Sequence, residues 1–371
     1  MTPSITSLLD GPCNKLVDQA IRQGRIPLAY TCSYTPVPLL SVGRLFPLRV
    51  SAPRISGTEI ADIYLSSVTC SYTRSILELA MDDQFQFLGG WVLAATCNQA
   101  HRLYDNLVYL VRPGFIHILD VPHKSGDRAL KWYVEELRLL KDKLEAHFQV
   151  DAGEAALSNA IDEYNALHVF LEKIDACRKQ PNPPVTGTEF YQWMIASAVT
   201  PTDLFLPLLT EYALSLDQRR ISQPHRARLM VAGGELDDPD YIRAIESTGA
   251  LVVADMICTG SVSHSSRILR DQDPLTDIAA HFLKQVSCPR MMEDFKKRLA
   301  LIVEKIKAYQ VDGVVIQRIK FCDFWGMESG LLMSELRKLN IPVLRLEREY
   351  GLTGEGQLKT RVQAFLESLG K

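Results

Sequence analysis

Apolar and polar residues along the chain follow two periods, one typical of β-strands and one typical of α-helices. Short apolar runs of strand character occur at 26–31, 46–50, 63–69, 87–96 and 115–121. Segments with helical spacing lie between them, for example 71–81 and 99–111. Strands that alternate with helices predict βαβ units and a parallel sheet in the first third of the chain.

The pattern changes to purely helical spacing after residue 128. Apolar residues recur at helical intervals from Leu137 to Ile174, which predicts two helices with a break near 151–153. The run Pro181-Asn182-Pro183-Pro184 then marks a linker. Residues 188–216 are again helical, with a break near Pro201.

A second region of alternating strands and helices follows. Its apolar runs lie at 227–232, 250–256, 313–319 and 341–346, and its helical segments at 239–248, 290–308, 329–339 and 362–369. The pattern predicts an α/β fold with two doubly wound parallel-sheet domains of the Rossmann or flavodoxin-like type, at 1–127 and 221–371. A helical connecting segment at 128–220 joins them, and a cleft lies where the strand ends of the two domains face each other.

The amino-acid composition limits the kinds of molecule that the chain is expected to bind. The chain has 371 residues, 47% of them hydrophobic, and a net charge of −3, so it carries no basic excess that would favour nucleic acid. The first ten residues lack the basic and apolar regions of a secretory signal. The longest apolar stretches are far short of the ~20 residues needed to span a bilayer. We therefore expect a cytoplasmic protein without nucleic-acid or membrane partners.

The cysteines supply the candidate chemistry. Five of the eight end short apolar runs, namely Cys32, Cys70, Cys97, Cys258 and Cys322. The carboxyl ends of parallel strands line the ligand crevice of an open sheet, and thiolates favour soft metals and iron–sulfur clusters. The alternative is that these are buried core thiols, since free cysteine is among the most buried residue types. Cys13, Cys177 and Cys288 lack this placement and are interpreted as incidental.

Three of these thiols suit one site between the domains. Cys70 and Cys97 are 27 residues apart, about one strand–helix–strand unit, and Cys322 lies in the second α/β region. Three thiolates with an open fourth position suit a site that performs chemistry. The absence of a CxxC pair excludes a zinc ribbon and a ferredoxin-type run. A zinc-thiolate enzyme remains an alternative.

The dipeptide Gly233-Gly234 follows one predicted strand and precedes a helix. Two interpretations stay open: a phosphate cradle at the helix N-terminus, or a tight turn between strand and helix. No GxGxxG or GK[ST] motif is present, so the nucleotide-binding fingerprints are absent.

Several short motifs carry a resemblance to a known family. They are Tyr30-Thr31-Cys32-Ser33-Tyr34-Thr35-Pro36, Thr69-Cys70-Ser71-Tyr72-Thr73-Arg74-Ser75, Thr96-Cys97-Asn98, Leu119-Asp120-Val121-Pro122, Asp312-Gly313-Val314-Val315, Lys320-Phe321-Cys322, Ile341-Pro342-Val343-Leu344 and Gly356-Gln357-Leu358-Lys359-Thr360-Arg361. In this order and spacing the chain resembles subunits of the 2-hydroxyacyl-CoA dehydratase and ATP-dependent benzoyl-CoA reductase family. It departs from the family pattern at Asn98, where aspartate is common, and after Cys258, where an arginine often follows.

The resemblance implies a 4Fe-4S cluster held in the interdomain cleft by Cys70, Cys97 and Cys322, with Cys32 as the reserve ligand. It also implies a heterodimer with a homologous second subunit, an ATP-hydrolysing iron–sulfur activator that donates single low-potential electrons, and an acyl-CoA substrate. The expected function is therefore that of the iron–sulfur subunit of a radical acyl-CoA dehydratase or aromatic acyl-CoA reductase. A non-catalytic electron-relay or structural subunit is the further alternative, and the sequence assigns no catalytic residue.

Overall fold

The protein is described by a computed structural model that covers residues 4–52, 54–220, 224–264, 266–351 and 354–370. Its strands form two separate sheets of four, and every pairing within them is parallel. The eight strands are β1 Ile26–Tyr30, β2 Leu45–Arg49, β3 Gly90–Ala94, β4 Ile116–Leu119, β5 Ala227–Gly233, β6 Ala250–Met256, β7 Gly313–Ile319 and β8 Val343–Arg348. The first sheet has the order β2-β1-β3-β4 and the second β6-β5-β7-β8.

Helices connect and flank these strands. They are α1 Lys15–Arg22, α2 Ala61–Tyr64, α3 Ser71–Met81, α4 Asn98–Asn106, α5 Asp127–Phe148, α6 Glu154–Cys177, α7 Gly187–Ala198, α8 Thr202–Ser215, α9 Pro239–Glu246, α10 Pro274–Leu283, α11 Phe295–Ala308, α12 Asp323–Lys338 and α13 Glu355–Ser368. A π-helical turn, Leu107–Val111, extends α4. Two doubly wound parallel sheets confirm the predicted fold class.

Local signals explain where the long middle helices begin and end. Helix α5 ends at Gln149, which adopts a left-handed conformation with φ 54°, and Gly153 caps the start of α6. The predicted break near 151–153 is therefore confirmed. Helix α7 begins with a capping box, in which Thr186 and Glu189 satisfy each other's backbone amides.

Helix α10 was absent from the predicted elements. Its start carries clear signals, because the side chain of Asp273 accepts a hydrogen bond from the amide of Thr276 and Pro274 occupies the first turn. Helices α5 and α6 pack on α10, and α7 packs on α9, while α5 also contacts β4 of the first sheet. The helices between the sheets therefore contact elements of both α/β regions.

The carboxyl ends of the two sheets face each other. Arg49 at the end of β2 contacts Glu235 after β5, and Ser33 after β1 donates a 2.6 Å hydrogen bond to the carbonyl of Cys258 after β6. The loops that leave these strand ends therefore form the lining of the space between the sheets. Within the described ranges, no helix combines the length and the apolar character that crossing a membrane requires.

Candidate functional site

Four of the five cysteines singled out from the sequence follow strands at this facing edge. Cys32 follows β1, Cys97 follows β3, Cys258 follows β6 and Cys322 follows β7. Because β1 and β3 are neighbours in the first sheet, Cys32 and Cys97 leave adjacent strand ends. The prediction that strand ends carry thiols to one edge is confirmed for these four residues.

The prediction was wrong for the segment that leads to Cys70. Residues 63–69 form no strand; the chain makes the single helical turn α2 and then a turn in which the amide of Thr69 donates to the carbonyl of Ser66 over 2.8 Å. Ile63 is 74% exposed and Val68 59% exposed, so these apolar residues lie on the surface. An isolated apolar run becomes a strand only where a neighbouring strand pairs with it, and none does here.

Three cysteines share a second placement, at the N-cap positions of helices. Cys70 precedes α3, Cys97 precedes α4 and Cys322 precedes α12. None of the three cysteine side chains forms a capping hydrogen bond, but each lies beside the free amides of its first helical turn. The partial positive charge of a helix N-terminus favours the thiolate form of such a residue.

Two opposing effects set the pKa values of these thiols: burial raises them, and the amides of the helix N-termini lower them. Burial raises the pKa of Cys70 to about 12 and that of Cys97 to about 11, and it also raises the pKa of Cys322. The first-turn amides oppose the shift in each case, for example those of Tyr72 and Thr73 at Cys70. Thiols in such surroundings stay protonated unless a cation compensates the thiolate charge.

The three thiols also lie within reach of one another's charge. The thiolate of Cys322 raises the pKa of both Cys70 and Cys97, and Cys97 raises that of Cys70. Cys70 and Cys322 contact the same hydrophobic cluster, which includes Ile319 and Tyr350. The structure therefore brings residues from both α/β regions into one apolar, thiol-lined neighbourhood.

The thiols fit one of the two kinds of metal centre that the sequence left open better than the other. Across the described ranges, no three or more His, Cys, Asp or Glu side chains are arranged to hold one metal ion. A single-ion zinc-thiolate site therefore gains no support from the side-chain positions. In an iron–sulfur cluster each thiolate binds a different iron, so the thiols need not converge on one ion. One buried and two partly buried thiols beside backbone amides fit that chemistry.

Two further cysteines belong to the same neighbourhood. Cys32 raises the pKa of Cys97, and both Cys32 and Cys322 raise the pKa of Cys288. Cys288 follows no strand, so strand-end placement could not reveal its position. Cys13 is exposed, and Cys177 packs in a different hydrophobic cluster.

A buried ion pair joins the facing edges of the two sheets. The guanidinium of Arg49 lies 2.7 Å from the carboxylate of Glu235, and the two side chains are 6% and 12% exposed. The thiol of Cys258 donates to the same carboxylate over 3.1 Å. Arg49 also donates to the hydroxyl of Ser33 over 2.9 Å. The sequence gives no sign of this network, because its members lie in distant parts of the chain.

A cavity opens beside this network between the sheets and helices α6 and α7. It measures about 950 Å³, counted with its open mouth, and its walls include Thr35, Arg49, Asp237 and Gln285. Several buried polar atoms here have no hydrogen-bond partner within the described residues, namely Thr35 Oγ1, Arg49 Nε and Gln285 Oε1. Buried polar atoms without partners are costly, so this lining is suited to a polar ligand group.

The glycine pair at the end of β5 forms a tight turn. Gly233 has φ 143°, and a Cβ atom there would lie 1.8 Å from the carbonyl oxygen of Gln317. Glycine is therefore required by the close approach of β7, which accounts for this position without a phosphate. The turn brings Glu235 to the facing edge.

The fold and the thiols define the structural class of the protein. It is an α/β protein of two parallel sheets, and the facing edges of these sheets hold a buried thiol site and a polar cavity. The family model described as 2-hydroxyglutaryl-CoA dehydratase, D-component, matches residues 32–369. The chain belongs to this family.

Individual relatives resemble the chain over nearly their whole length. The putative dehydratase subunit YjiM of Escherichia coli (strain K12) is 24% identical, with 94% of this chain and 93% of the relative covered. A benzoyl-CoA reductase subunit of Thauera aromatica is 22% identical, with 85% and 84% covered. The (R)-phenyllactyl-CoA dehydratase beta subunit of Clostridium sporogenes is 22% identical, with 98% and 96% covered. The family is thus one of dehydratase and reductase subunits, and the chain is an enzyme subunit.

Proposed function

We propose that this chain is the iron–sulfur subunit of a radical acyl-CoA dehydratase, or of a related aromatic acyl-CoA reductase, that works under anaerobic conditions in the cytoplasm. The single observation that carries the proposal is the joint position of Cys70, Cys97 and Cys322 at three helix N-termini in one buried neighbourhood. Family membership supports the same function.

In this proposal a 4Fe-4S cluster is held by Cys70, Cys97 and Cys322, with Cys32 and Cys288 beside it. When bound, the cluster supplies single electrons of low potential to the substrate. The chain's own contribution is to keep the site dry and to favour the thiolate form through the first-turn amides of α3, α4 and α12. Trp325, which is 2% exposed, packs beside Cys322 and excludes water from that side.

The cavity beside Arg49 is proposed to bind the acyl thioester. The hydroxyl of Thr35 and the Nε atom of Arg49 are buried donors without partners among the described residues. A thioester carbonyl or a substrate hydroxyl can accept from them, which would orient the acyl group and remove the cost of the unsatisfied atoms. The Arg49–Glu235 pair holds these groups in place between the two sheets.

Two protein partners complete the proposal. The relatives from Thauera aromatica and Clostridium sporogenes are, by their names, subunits of larger enzymes. We infer that this chain likewise pairs with a homologous second subunit and receives electrons from an ATP-hydrolysing iron–sulfur activator. Co-purification of a related chain with a tagged version of this one would test the first partner.

Anaerobic reconstitution tests the cluster directly. The wild-type protein is expected to bind about four irons and a matching amount of acid-labile sulfide per chain, with the broad absorbance of an iron–sulfur centre. Cys70→Ser, Cys97→Ser and Cys322→Ser should each lose most of this iron. Cys13→Ser and Cys177→Ser are matched controls that remove a thiol outside the site and should keep it.

Other outcomes would contradict the proposal or refine it. A reconstituted wild-type protein without iron rejects the cluster, and zinc in its place would establish the alternative thiolate enzyme. Iron loss in the control variants equal to that in the site variants would show that cysteine changes act through the fold. Cys32→Ser and Cys288→Ser, measured in the same series, decide whether either thiol is a further ligand.

A further inference from the structure

Two cavities of the protein meet at one ionisable side chain. The inner cavity beside Arg49 and an outer cavity near the N-terminal residues share the lining residues Ser51, Ile195, Val199 and Asp237. The outer cavity reaches the surface at Asp10 and Arg54, which form an exposed ion pair. Among these shared lining residues, Asp237 alone carries an acidic or basic side chain.

The carboxyl group of Asp237 is held by a short chain of hydrogen bonds. The hydroxyl of Tyr350 donates to Asp237 Oδ2 over 2.6 Å and accepts from the amide of Ala52 over 2.8 Å. The amide of Tyr350 donates to Ser71 Oγ over 2.9 Å, and Ser71 directly follows Cys70 in the chain. Asp237 is 4% exposed, and within the described ranges Tyr350 is the donor that contacts its carboxyl group.

We propose that Asp237 is the proton-exchanging residue of the cavity, a role that rests on the function proposed above: it accepts a proton from the acyl chain of a 2-hydroxyacyl thioester and passes it to the departing hydroxyl group. The geometry that carries this inference is a buried carboxyl group that lines the inner cavity and the outer one at once.

The step balances in atoms and electrons. One electron from the donor of the proposed function enters the thioester carbonyl, and the C–O bond of the hydroxyl-bearing carbon then breaks with its electron pair on oxygen. The carboxylate takes the proton from the next carbon, the electron pair of that C–H bond enters the new C=C bond, and the extra electron returns to the donor, so the dehydration is redox-neutral overall. The carboxylic acid gives its proton to the hydroxide, which forms water, and Asp237 is again a carboxylate.

The charges around Asp237 suit this task. Burial and, to a smaller extent, the nearby carboxylate of Glu235 raise the pKa of Asp237 to about 7, against the opposing effects of Tyr350, Arg49 and Arg348. Asp238, the next residue in the chain, is also buried. Tyr350, the donor to Asp237, packs edge-on against the ring of Tyr72, with the ring centres 5.1 Å apart. A group with a pKa near the working pH both accepts and donates a proton readily.

Infrared titration of the metal-free protein tests the carboxyl group without any turnover. The wild type should show a protonated carboxyl band that disappears as the pH rises through neutrality. Asp237→Asn should lack this band, and Asp240→Asn, which removes a half-exposed carboxylate in the first turn of α9, should keep it. A band that persists unchanged in Asp237→Asn overturns the proposal.

A second variant covers the case in which Asp237→Asn fails to fold. Tyr350→Phe removes the hydrogen bond that stabilises the carboxylate, so the band should titrate at a higher pH than in the wild type. A titration unmoved by this change assigns the band to another group and overturns the proposal.

Turnover of the reconstituted complex gives the functional test, with (R)-phenyllactyl-CoA among a panel of 2-hydroxyacyl-CoA probes. Asp237→Asn should lower kcat by about 10²-fold or more and flatten its pH profile, while iron content and KM stay unchanged. Turnover at the wild-type rate would refute the role. A wild-type complex without iron or turnover would instead reject the proposed function, and this inference with it, whatever the infrared band shows.

Discussion

Arg49 and Glu235 form a buried ion pair of 2.7 Å between the end of β2 in the first sheet and the loop after β5 in the second. They are 186 residues apart in the sequence. The pair lies where the carboxyl ends of the two sheets face each other, and it borders the cavity proposed to bind the thioester. Its integrity is therefore expected to matter for both stability and substrate binding.

Removing one member of this pair should destabilise the protein strongly. Arg49→Met leaves the Glu235 carboxylate buried without its counter-charge, and we expect a loss of about 3 kcal/mol or more in the free energy of unfolding, measured by urea denaturation. Arg22→Met, which breaks an exposed pair with Asp18, is the control and should cost less than about 1 kcal/mol. Equal losses would mean that the ion pair at the facing edge has no special role.

Gly233→Ala should be poorly tolerated. The residue has φ 143°, and a Cβ would meet the Gln317 carbonyl at 1.8 Å, so strand β7 would have to move. We expect a loss of at least about 2 kcal/mol of unfolding free energy. Gly356→Ala, in the first turn of α13 with no atom within 4 Å of its Cβ, should be neutral or slightly stabilising. A stable Gly233→Ala protein would contradict the tight-turn interpretation.

His117 should make the protein sensitive to acid. Burial lowers the pKa of His117 to about 4, helped by Lys143, so the folded state holds the imidazole neutral while the unfolded state titrates near 6.5. The unfolded state therefore binds more protons between these values, and stability falls as the pH drops from about 6.5 to about 4.

The matching experiment compares His117→Gln with the wild type by urea denaturation across this pH range. The variant should lose roughly 2 kcal/mol less stability on acidification. His147→Gln, at the end of α5, removes a histidine without this burial and serves as the control. Parallel pH curves for His117→Gln and the wild type would show that His117 does not titrate on unfolding.

Asp237 should make the stability of the protein depend on pH in the opposite direction to His117. Its folded-state pKa of about 7 lies above the value near 3.9 expected in the unfolded chain, so the folded state binds more protons between these values. Stability from this group therefore falls as the pH rises from about 4 to about 7. Asp237→Asn should gain stability relative to the wild type as the pH increases, by a few kcal/mol at most, whereas Asp240→Asn should not. An unchanging difference between Asp237→Asn and the wild type would contradict the raised pKa.

The fold class and several elements could be predicted because their signals are local. Strands β6 and β7 occupy the predicted positions 250–256 and 313–319, and helix α3 the predicted 71–81. Each depends on hydrophobic period and residue preference within one short window. The same reasoning was wrong for 63–69, where no neighbouring strand was available to pair with the apolar run.

The candidate site likewise contains residues that local sequence signals predict and residues that only distant contacts bring in. Strand-end placement brought out Cys32, Cys97 and Cys322, since the carboxyl ends of parallel strands share an edge. The same reasoning selected Cys70, but the apolar run before Cys70 forms no strand and the residue follows a turn. Cys288 joins the thiols from a loop that carries no strand signal.

By itself, the sequence determined two parallel-sheet regions, the helical segment between them and the thiols that leave their strands, because periodicity and turn residues act over a few neighbouring positions. Only the tertiary structure decided that Arg49 pairs with Glu235, that the thiols of both regions share one apolar neighbourhood and that Asp237 lines two cavities at once. Those relationships join residues far apart in the chain, and they arise only when packing brings the two sheet edges together.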